Sequence, residues 1–203
     1  MLKNYISVNI DVIKRRFLIM DFSTLEKLSE VLYEKLQAIH LEYYIFWKNN
    51  ILFTWRWWIA FSLIILPWII WLFLRKKEST DRLLYVGLFV MVISTFMDKI
   101  GISLGLWYYP IYVFPLMPEY VTFDICALPV ATMLTIQYFP KLNPYIKALI
   151  YSLTSSFIFE PLNVWLGLYK QILWKYYYSL PIMIFIYLAA NYLASRNKFD
   201  YLK

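Results

Sequence analysis

Long apolar runs, separated by short polar or aromatic stretches, occupy most of the chain after residue 55. A helix needs about 20 mainly apolar residues to cross the hydrocarbon core of a bilayer, and helix boundaries predicted from sequence carry an error of about 2–4 residues. The pattern therefore predicts five membrane-spanning helices, at residues 57–74, 83–102, 123–139, 144–160 and 180–194.

Polar and proline residues predict how two of these helices begin and end. Asn143 before Pro144 is typical of a helix start, because asparagine caps free N–H groups and proline fits the first turn. Ser179 is the expected cap of the fifth helix. Pro161 disfavours helical geometry at the preceding residue, so we expect the fourth helix to end at Glu160.

The chain before residue 55 shows a different pattern. Residues 23–54 carry leucines at three- and four-residue steps, with charged residues off that stripe. This predicts an amphipathic helix that lies on the bilayer surface or packs on a partner. Residues 1–22 are expected to form an N-terminal arm, residues 55–194 the membrane domain, and residues 195–203 a C-terminal tail.

Two segments of the membrane domain repeat at an offset of 62 residues: DKIGISLGLW starts at Asp98, and EPLNVWLGLY starts at Glu160. Each segment follows one predicted span and precedes another. We therefore expect residues 83–139 and 144–194 to be two parallel copies of one unit. Such copies are often related by a pseudo-twofold axis along the membrane normal. The predicted fold is an all-α polytopic helix bundle with this two-helix internal repeat.

Composition supports a membrane location. The chain is 62% apolar and 21% aromatic, whereas soluble domains are roughly 45–50% apolar. Its net charge of +7 resides in loops and the N-terminal region, which fits anionic lipid better than nucleic acid. One cysteine and one histidine exclude an internal disulfide and a histidine–cysteine metal site. We expect no metal and no cofactor.

Loop charge predicts the orientation. The loops on the side of the C-terminus hold more lysine and arginine, which favours a plasma-membrane protein with a cytoplasmic C-terminus. The basic N-terminal arm favours the opposite orientation.

Acids at the edge of a membrane span are costly and predict a functional site. Asp98, Glu119 and Glu160 are the catalytic candidates. The ligand-binding candidates are Trp107, Tyr108, Asp124, Asn163, Trp165 and Tyr169. Acids beside aromatic rings could protonate an alkene, conduct protons or hold a cation. In the plainer interpretation, Asp98 pairs across helices, Asp124 stabilises a helix start, and the rings form an interfacial belt.

Residues 55–194 resemble a family of uncharacterised five-span membrane proteins from endospore-forming Gram-positive bacteria. The resemblance rests on Trp57-Trp58, Leu66-Pro67-Trp68, Arg75-Lys76-Lys77, Asp98 with Gly101, Gly105-Leu106-Trp107, Pro118, Asp124, Pro129, Gln137-Tyr138, Glu160-Pro161 and Tyr178-Ser179. It implies the five-span fold and carries no established activity.

A shorter likeness involves about 30 residues. Asp98, Gly105, Trp107, Pro118-Glu119 and Phe123 are similar in order and spacing to the lycopene cyclase domain, a membrane unit that cyclises the ends of a carotenoid. That likeness implies alkene protonation by acids in a P-x-E-E pattern. Here Tyr120 follows Glu119, so the second acid is missing.

Three functions stay open from the sequence. The first is a non-enzymatic binding or accessory protein. The second is an enzyme that acts on a polyprenoid or other lipid through Asp98, Glu119 and Glu160. The third is a small proton- or cation-coupled transporter. The expected partners are membrane lipids, an isoprenoid or other lipophilic ligand, a second copy of the chain or another membrane protein, and not nucleic acid.

Overall fold

The computed structural model describes residues 21–115, 120–138 and 140–196. It confirms the all-α class. The helices are α1 (Phe22–Asn50), α2 (Trp55–Leu74), α3 (Thr80–Ser103), α4 (Leu128–Tyr138), α5 (Pro144–Thr154), α6 (Glu160–Leu166) and α7 (Tyr176–Ser195). Shorter elements are a 3-10 turn (Lys77–Ser79), π-helical segments (Thr122–Ala127 and Ser155–Phe159) and strands β1 (Trp107–Tyr108) and β2 (Lys170–Gln171).

Within the described residues, three helical stretches are long and apolar enough to cross a membrane: Trp55–Leu74, Lys77–Ser103 and Tyr176–Ser195. They coincide with the first, second and fifth predicted spans. The π-helical segments lead directly into α4 and α6, so helical backbone is continuous over residues 121–138 and 144–166. A π turn adds one residue to a turn of helix and often occurs at functional sites.

The chain divides into two compact units, Met1–Ile45 and Phe46–Lys203. In the described part of the first unit, the leucine stripe of α1 is exposed at Leu25, Leu28, Leu32 and Leu36. An exposed apolar stripe is the pattern expected of a helix that lies on a membrane or a partner.

The core of the second unit lies among α3, α4, α5 and α7. Val86, Val90, Leu128 and Ile186 belong to its buried cluster. Small residues on α5 (Ala148 and Ser152) and on α7 (Ala190 and Ala194) are also buried. Small side chains let neighbouring helix backbones approach closely, which is the usual packing device between membrane helices.

The predicted helix ends were right in one case and wrong in two. The Asn143 side chain accepts a hydrogen bond from the Tyr145 N–H at 2.9 Å, which confirms it as the cap of α5. Ser179 is not a cap, because α7 already begins at Tyr176. The fourth helix does not end at Glu160 but continues to Leu166.

The π-helical segment explains how the helix passes Pro161. The backbone N–H of Glu160 donates to the carbonyl of Ser155, five residues back. Proline has no N–H to donate, and in a regular helix its ring collides with the carbonyl four residues back. The π turn shifts the hydrogen-bond register immediately before the proline. Glu160 therefore keeps helical geometry, with φ −63° and ψ −49°.

Candidate functional site

Helices α3 and α6 end in the same backbone arrangement. Gly105 and Gly167 follow them with φ of 67° and 74°, a left-handed conformation that glycine adopts without steric cost. In both turns the N–H of the residue after the glycine donates to the carbonyl five residues earlier, at 3.0 and 2.9 Å. This is the Schellman arrangement of a helix C-terminus. After this turn, each of the two segments continues into a short strand.

The two strands pair with each other. β1 and β2 are antiparallel, with Tyr108 opposite Lys170 and Trp107 opposite Gln171. Tyr108 and Lys170 also correspond to each other at the 62-residue offset. The Leu106 carbonyl accepts three further N–H groups from residues 172–174. The loop after α3 is thus joined to the loop after α6.

Asp98 is held by the loop that follows its own helix. Its side chain is 5% exposed, and its Oδ1 accepts hydrogen bonds from Trp107 Nε1 at 2.8 Å and the Tyr109 hydroxyl at 2.6 Å. The Trp107 ring lies against Gly101, where an added Cβ would come within 2.0 Å of the ring. The Asp98 carboxyl also interacts with the carboxyl of Asp124, so α3 and the π-helical segment before α4 meet at two acids.

Glu160 is held in a similar way. Its Oε1 accepts from Gln171 Nε2 at 2.9 Å, and its Oε2 accepts from the Ser179 hydroxyl at 2.8 Å. Trp174 Nε1 donates to the Ser179 oxygen at 2.8 Å, which orients that hydroxyl toward the acid. The Tyr169 hydroxyl is a further hydrogen-bond partner of Glu160. Ser179 can reach Glu160 because it lies inside α7 instead of capping it.

The two acids take donors from matching positions. Trp107 and Tyr109 lie nine and eleven residues after Asp98. Tyr169 and Gln171 lie nine and eleven residues after Glu160. The geometry of acid, helix end, glycine turn and strand is therefore the same in both segments, although the donor side chains differ.

Both acids face one cavity of about 140 Å³. Three carboxyl groups line it, from Asp98, Asp124 and Glu160, together with the amide of Asn163. Its aromatic walls are Trp107, Tyr109, Phe123, Tyr169 and Trp174. The Trp107 and Trp174 rings meet edge to face at 4.8 Å, and Tyr109 stacks on Tyr120 at 3.8 Å. The cavity therefore combines three acidic groups with aromatic walls.

The ionisable acids and bases among the described residues that line the cavity are all acids. None of the described residues that line it is a lysine, arginine or histidine, and the identified donors to Asp98 and Glu160 are neutral groups. Burial, with the nearby acids, raises the pKa of Tyr109 well above its usual range. Burial and Glu160 likewise raise the pKa of Tyr169. Both phenols therefore stay protonated near neutral pH and act as donors.

Most of the candidate residues from the sequence meet in this cavity. The six that line it are Asp98, Asp124, Glu160, Trp107, Asn163 and Tyr169. Tyr108 and Trp165 do not line it, and Trp165 is 79% exposed. Glu119 lies outside the described residues. Over the ranges that the structure describes, no group of three or more histidine, cysteine, aspartate or glutamate side chains is placed to hold a metal ion.

Four residues of the hydrogen-bond network around the two acids were not among the candidates from the sequence: Tyr109, Gln171, Trp174 and Ser179. Tyr109 and Gln171 could have been found, because they correspond at the same offset that aligns Asp98 with Glu160. Ser179 and Trp174 are specific to the Glu160 side, and no repeated position points to them.

The chain matches no family model, and no curated protein or solved structure is significantly similar to it. The resemblances noted from the sequence therefore stay predictions, and the site must be interpreted from its own geometry.

Proposed function

We propose that this chain is a five-span integral membrane protein of the plasma membrane, which binds a small ligand between two copies of a helix–loop–helix unit. The continuous helical runs over residues 121–138 and 144–166 support the third and fourth spans. The matching glycine turns and the paired strands support the duplication. An axis between Tyr108 and Lys170 would relate the two units. The C-terminus is cytoplasmic, which puts the cavity near the outer face.

One observation carries the binding role: three carboxyl groups from separate helical segments converge on one cavity lined by aromatic rings. Asp98 and Glu160 are each fixed by side-chain donors. Buried acids are expensive in a membrane and persist where they serve a site. Fixed polar groups around a mostly apolar cavity are the general pattern of a small-ligand site.

The volume of the cavity favours binding over polyprenoid chemistry. A cavity of about 150 Å³ holds a molecule as small as benzene, and the cavity here measures about 140 Å³. This volume suits one small group better than a whole isoprenoid chain. Among the acids named in the cyclase likeness, Asp98 is already engaged by two donors. A binding or accessory role therefore explains the geometry with fewer assumptions.

Mass spectrometry of the purified protein tests this role. Protein extracted in mild detergent is denatured, and the small molecules and lipids released are compared between the wild type and the double variant Asp98→Asn/Glu160→Gln. We expect one compound near equimolar amount in the wild type and strongly depleted in the variant. Identical profiles in the two preparations would contradict a ligand site at these acids.

A second candidate, proton-coupled transport, is favoured by buried hydroxyl groups beyond the cavity. Three hydroxyl side chains are fully buried: Ser152 on α5, Ser156 in the π-helical segment that follows α5, and Tyr187 on α7. Their oxygens have no hydrogen-bond partner among the described residues. Such groups usually bond to internal water, which could carry protons. Proton flux into liposomes that contain the protein tests this alternative. Flux equal to that of protein-free liposomes would exclude it.

A further inference from the structure

We infer that the ligand of the cavity is a small organic ammonium ion. The inference rests on the proposed binding function and adds the chemical class of the ligand. It follows from the charge of the lining groups, from their hydrogen-bonding capacity and from the size and walls of the cavity.

Charge is the first argument. Asp98, Asp124 and Glu160 line the cavity, and none of the described lining residues carries a positive charge. A buried carboxylate without a cationic partner is strongly destabilised, by several kcal/mol per ion in real proteins. A ligand cation beside Asp98 and Glu160, whose identified hydrogen-bond donors are all neutral, would supply a counter-charge. An anionic ligand would meet like charges and no cationic group.

Hydrogen-bonding capacity is the second argument. Asn163 is 5% exposed, and its Nδ2 donates to the Phe159 carbonyl at 2.7 Å. Its Oδ1 is buried and has no partner among the described residues, and Asn163 lines the cavity. A buried acceptor left without a donor costs about 1–3 kcal/mol. The carboxyl groups of Asp98 and Glu160 and one open amide oxygen therefore favour a ligand that donates hydrogen bonds, as a protonated amine does.

The aromatic walls are the third argument. The Trp107, Tyr109, Tyr169 and Trp174 side chains line the same cavity as the acids. The face of an aromatic ring attracts a cation, by about 2 kcal/mol or more when the pair is shielded from water, and aromatic cages are a known device for binding ammonium groups. A hydrated inorganic cation gains less from such walls than an alkylammonium, whose carbon atoms also need an apolar surface.

Size and ligand geometry distinguish this ion from other cations. A cavity of about 140 Å³ accepts a molecule of roughly six non-hydrogen atoms, judged from cavities that hold benzene. In the described part of the chain, no three acids are grouped as metal ligands. The Asp98 and Asp124 carboxyls lie against each other, and Glu160 and the Asn163 amide line the same cavity, which suits a cation whose N–H groups make several contacts.

Calorimetric titration with ethanolammonium chloride tests the inference. Ethylene glycol is the matched neutral probe, because a hydroxyl replaces the ammonium group and the chain length is unchanged. Potassium chloride is the inorganic control. We expect saturable binding of ethanolammonium to the detergent-purified wild type, at least tenfold tighter than that of ethylene glycol. We also expect no competition from potassium ions at the same concentration.

Variants link the binding to the acids. Glu160→Gln and the double variant Asp98→Asn/Glu160→Gln should each weaken ethanolammonium binding at least tenfold. Asp81→Asn is the matched control: Asp81 is exposed at the opposite end of α3, so its variant should bind like the wild type. The single Glu160→Gln variant keeps the test usable should the double variant not fold.

The outcomes separate the inference from the function on which it rests. Equal binding of glycol and amine, or full amine binding by the folded Glu160→Gln variant, would overturn the ammonium inference and leave a binding site. The same holds for a neutral or anionic compound released from the wild-type cavity in the absence of amine binding. No amine binding together with no released compound would overturn both.

The same chemistry could come from a free amine or from a lipid headgroup, and nanodiscs distinguish these sources. Two sets are prepared, one with phosphatidylethanolamine and one with phosphatidylglycerol alone. If the headgroup occupies the cavity, ethanolammonium binding is abolished in the first set and retained in the second. If the ligand is a free amine, its dissociation constant is the same in both sets. Either result supports an ammonium site.

Discussion

The Asp98 segment and the Glu160 segment share a backbone and differ in side-chain chemistry. Both end a helix at a left-handed glycine, and both supply donors nine and eleven residues after the acid. Asp98 is more deeply buried and is held by aromatic donors, with a second acid beside it. Glu160 is partly exposed and is held by a glutamine, a serine and a tyrosine.

The backbone of the two segments is therefore the constant part of the site, and the donor side chains are the variable part. The turn geometry is needed in both segments, because it brings the strands together. The donors can vary provided that a neutral N–H or O–H reaches the carboxyl group. Asn163 corresponds to Gly101 at the 62-residue offset. The missing side chain at Gly101 leaves room for the Trp107 ring, whereas Asn163 presents an amide to the cavity.

The largest loss of stability is expected from a substitution of Gly101. In Gly101→Ala the new Cβ would lie 2.0 Å from the Trp107 ring, so the ring must move away from Asp98. We expect a loss of about 3 kcal/mol of stability, at the upper end of typical overpacking costs. Chemical denaturation in detergent micelles measures it. Gly87→Ala is the control, because its Cβ meets the flexible Met133 side chain; equal losses in the two variants would contradict the account.

The next effect compares the donors eleven residues after each acid. Tyr109→Phe removes the hydroxyl that donates to Asp98 at 2.6 Å, and Gln171→Leu removes the amide that donates to Glu160 at 2.9 Å. Hydrogen bonds to charged groups contribute about 1.5–3 kcal/mol. We expect Tyr109→Phe to lower the free energy of unfolding by about 2 kcal/mol. Gln171→Leu should lower it by about half as much, because Glu160 is more exposed than Asp98. A larger loss of stability in Gln171→Leu than in Tyr109→Phe would contradict the prediction that the hydrogen bond to Asp98 contributes more.

The pH dependence should come from the buried tyrosines of the loops. Burial raises the pKa of Tyr109 and of Tyr169 above the usual value of about 10. Their phenols ionise first in the unfolded state, which then binds fewer protons, so stability is intact below pH 10 and falls above it. Each such tyrosine contributes a slope of about 1.4 kcal/mol per pH unit. Melting temperatures from pH 8 to 11 should fall less steeply for Tyr109→Phe than for the wild type.

A further loss of stability is expected at the two glycine turns. Alanine at Gly105 or Gly167 must adopt a left-handed backbone, which costs roughly 1–2 kcal/mol. Nothing lies near a Cβ at Gly105, whereas a Cβ at Gly167 would approach Arg56 Nε to 3.0 Å. We therefore expect Gly167→Ala to lose slightly more stability than Gly105→Ala in the same denaturation assay. No loss in either variant would show that the turns are not required.

The apolar pattern predicted the helical class, and the 62-residue offset predicted that Asp98 and Glu160 share a site. Two predicted helix ends were wrong, the end of the fourth helix at Glu160 and the start of the fifth at Ser179. Both were inferred from a single neighbouring residue, a proline in one case and a serine in the other. A π turn before Pro161 lets the helix continue, and Ser179 bonds to Glu160 from within α7. Such tertiary partners cannot be inferred from the residues next to them in the chain.

The pairing of β1 with β2 brings the two acid segments around one cavity, and disulfide formation is a direct test of that pairing. In a Cys126→Ser background, Tyr108→Cys/Lys170→Cys places two cysteines directly opposite each other, within the Cα separation that a disulfide needs. Tyr108→Cys/Gln171→Cys is the control, since a shift of one residue points the side chains to opposite faces. We expect fast, nearly complete cross-linking in membranes for the first pair and little for the second. No cross-linking of the first pair, or equal rates for both, would contradict the pairing.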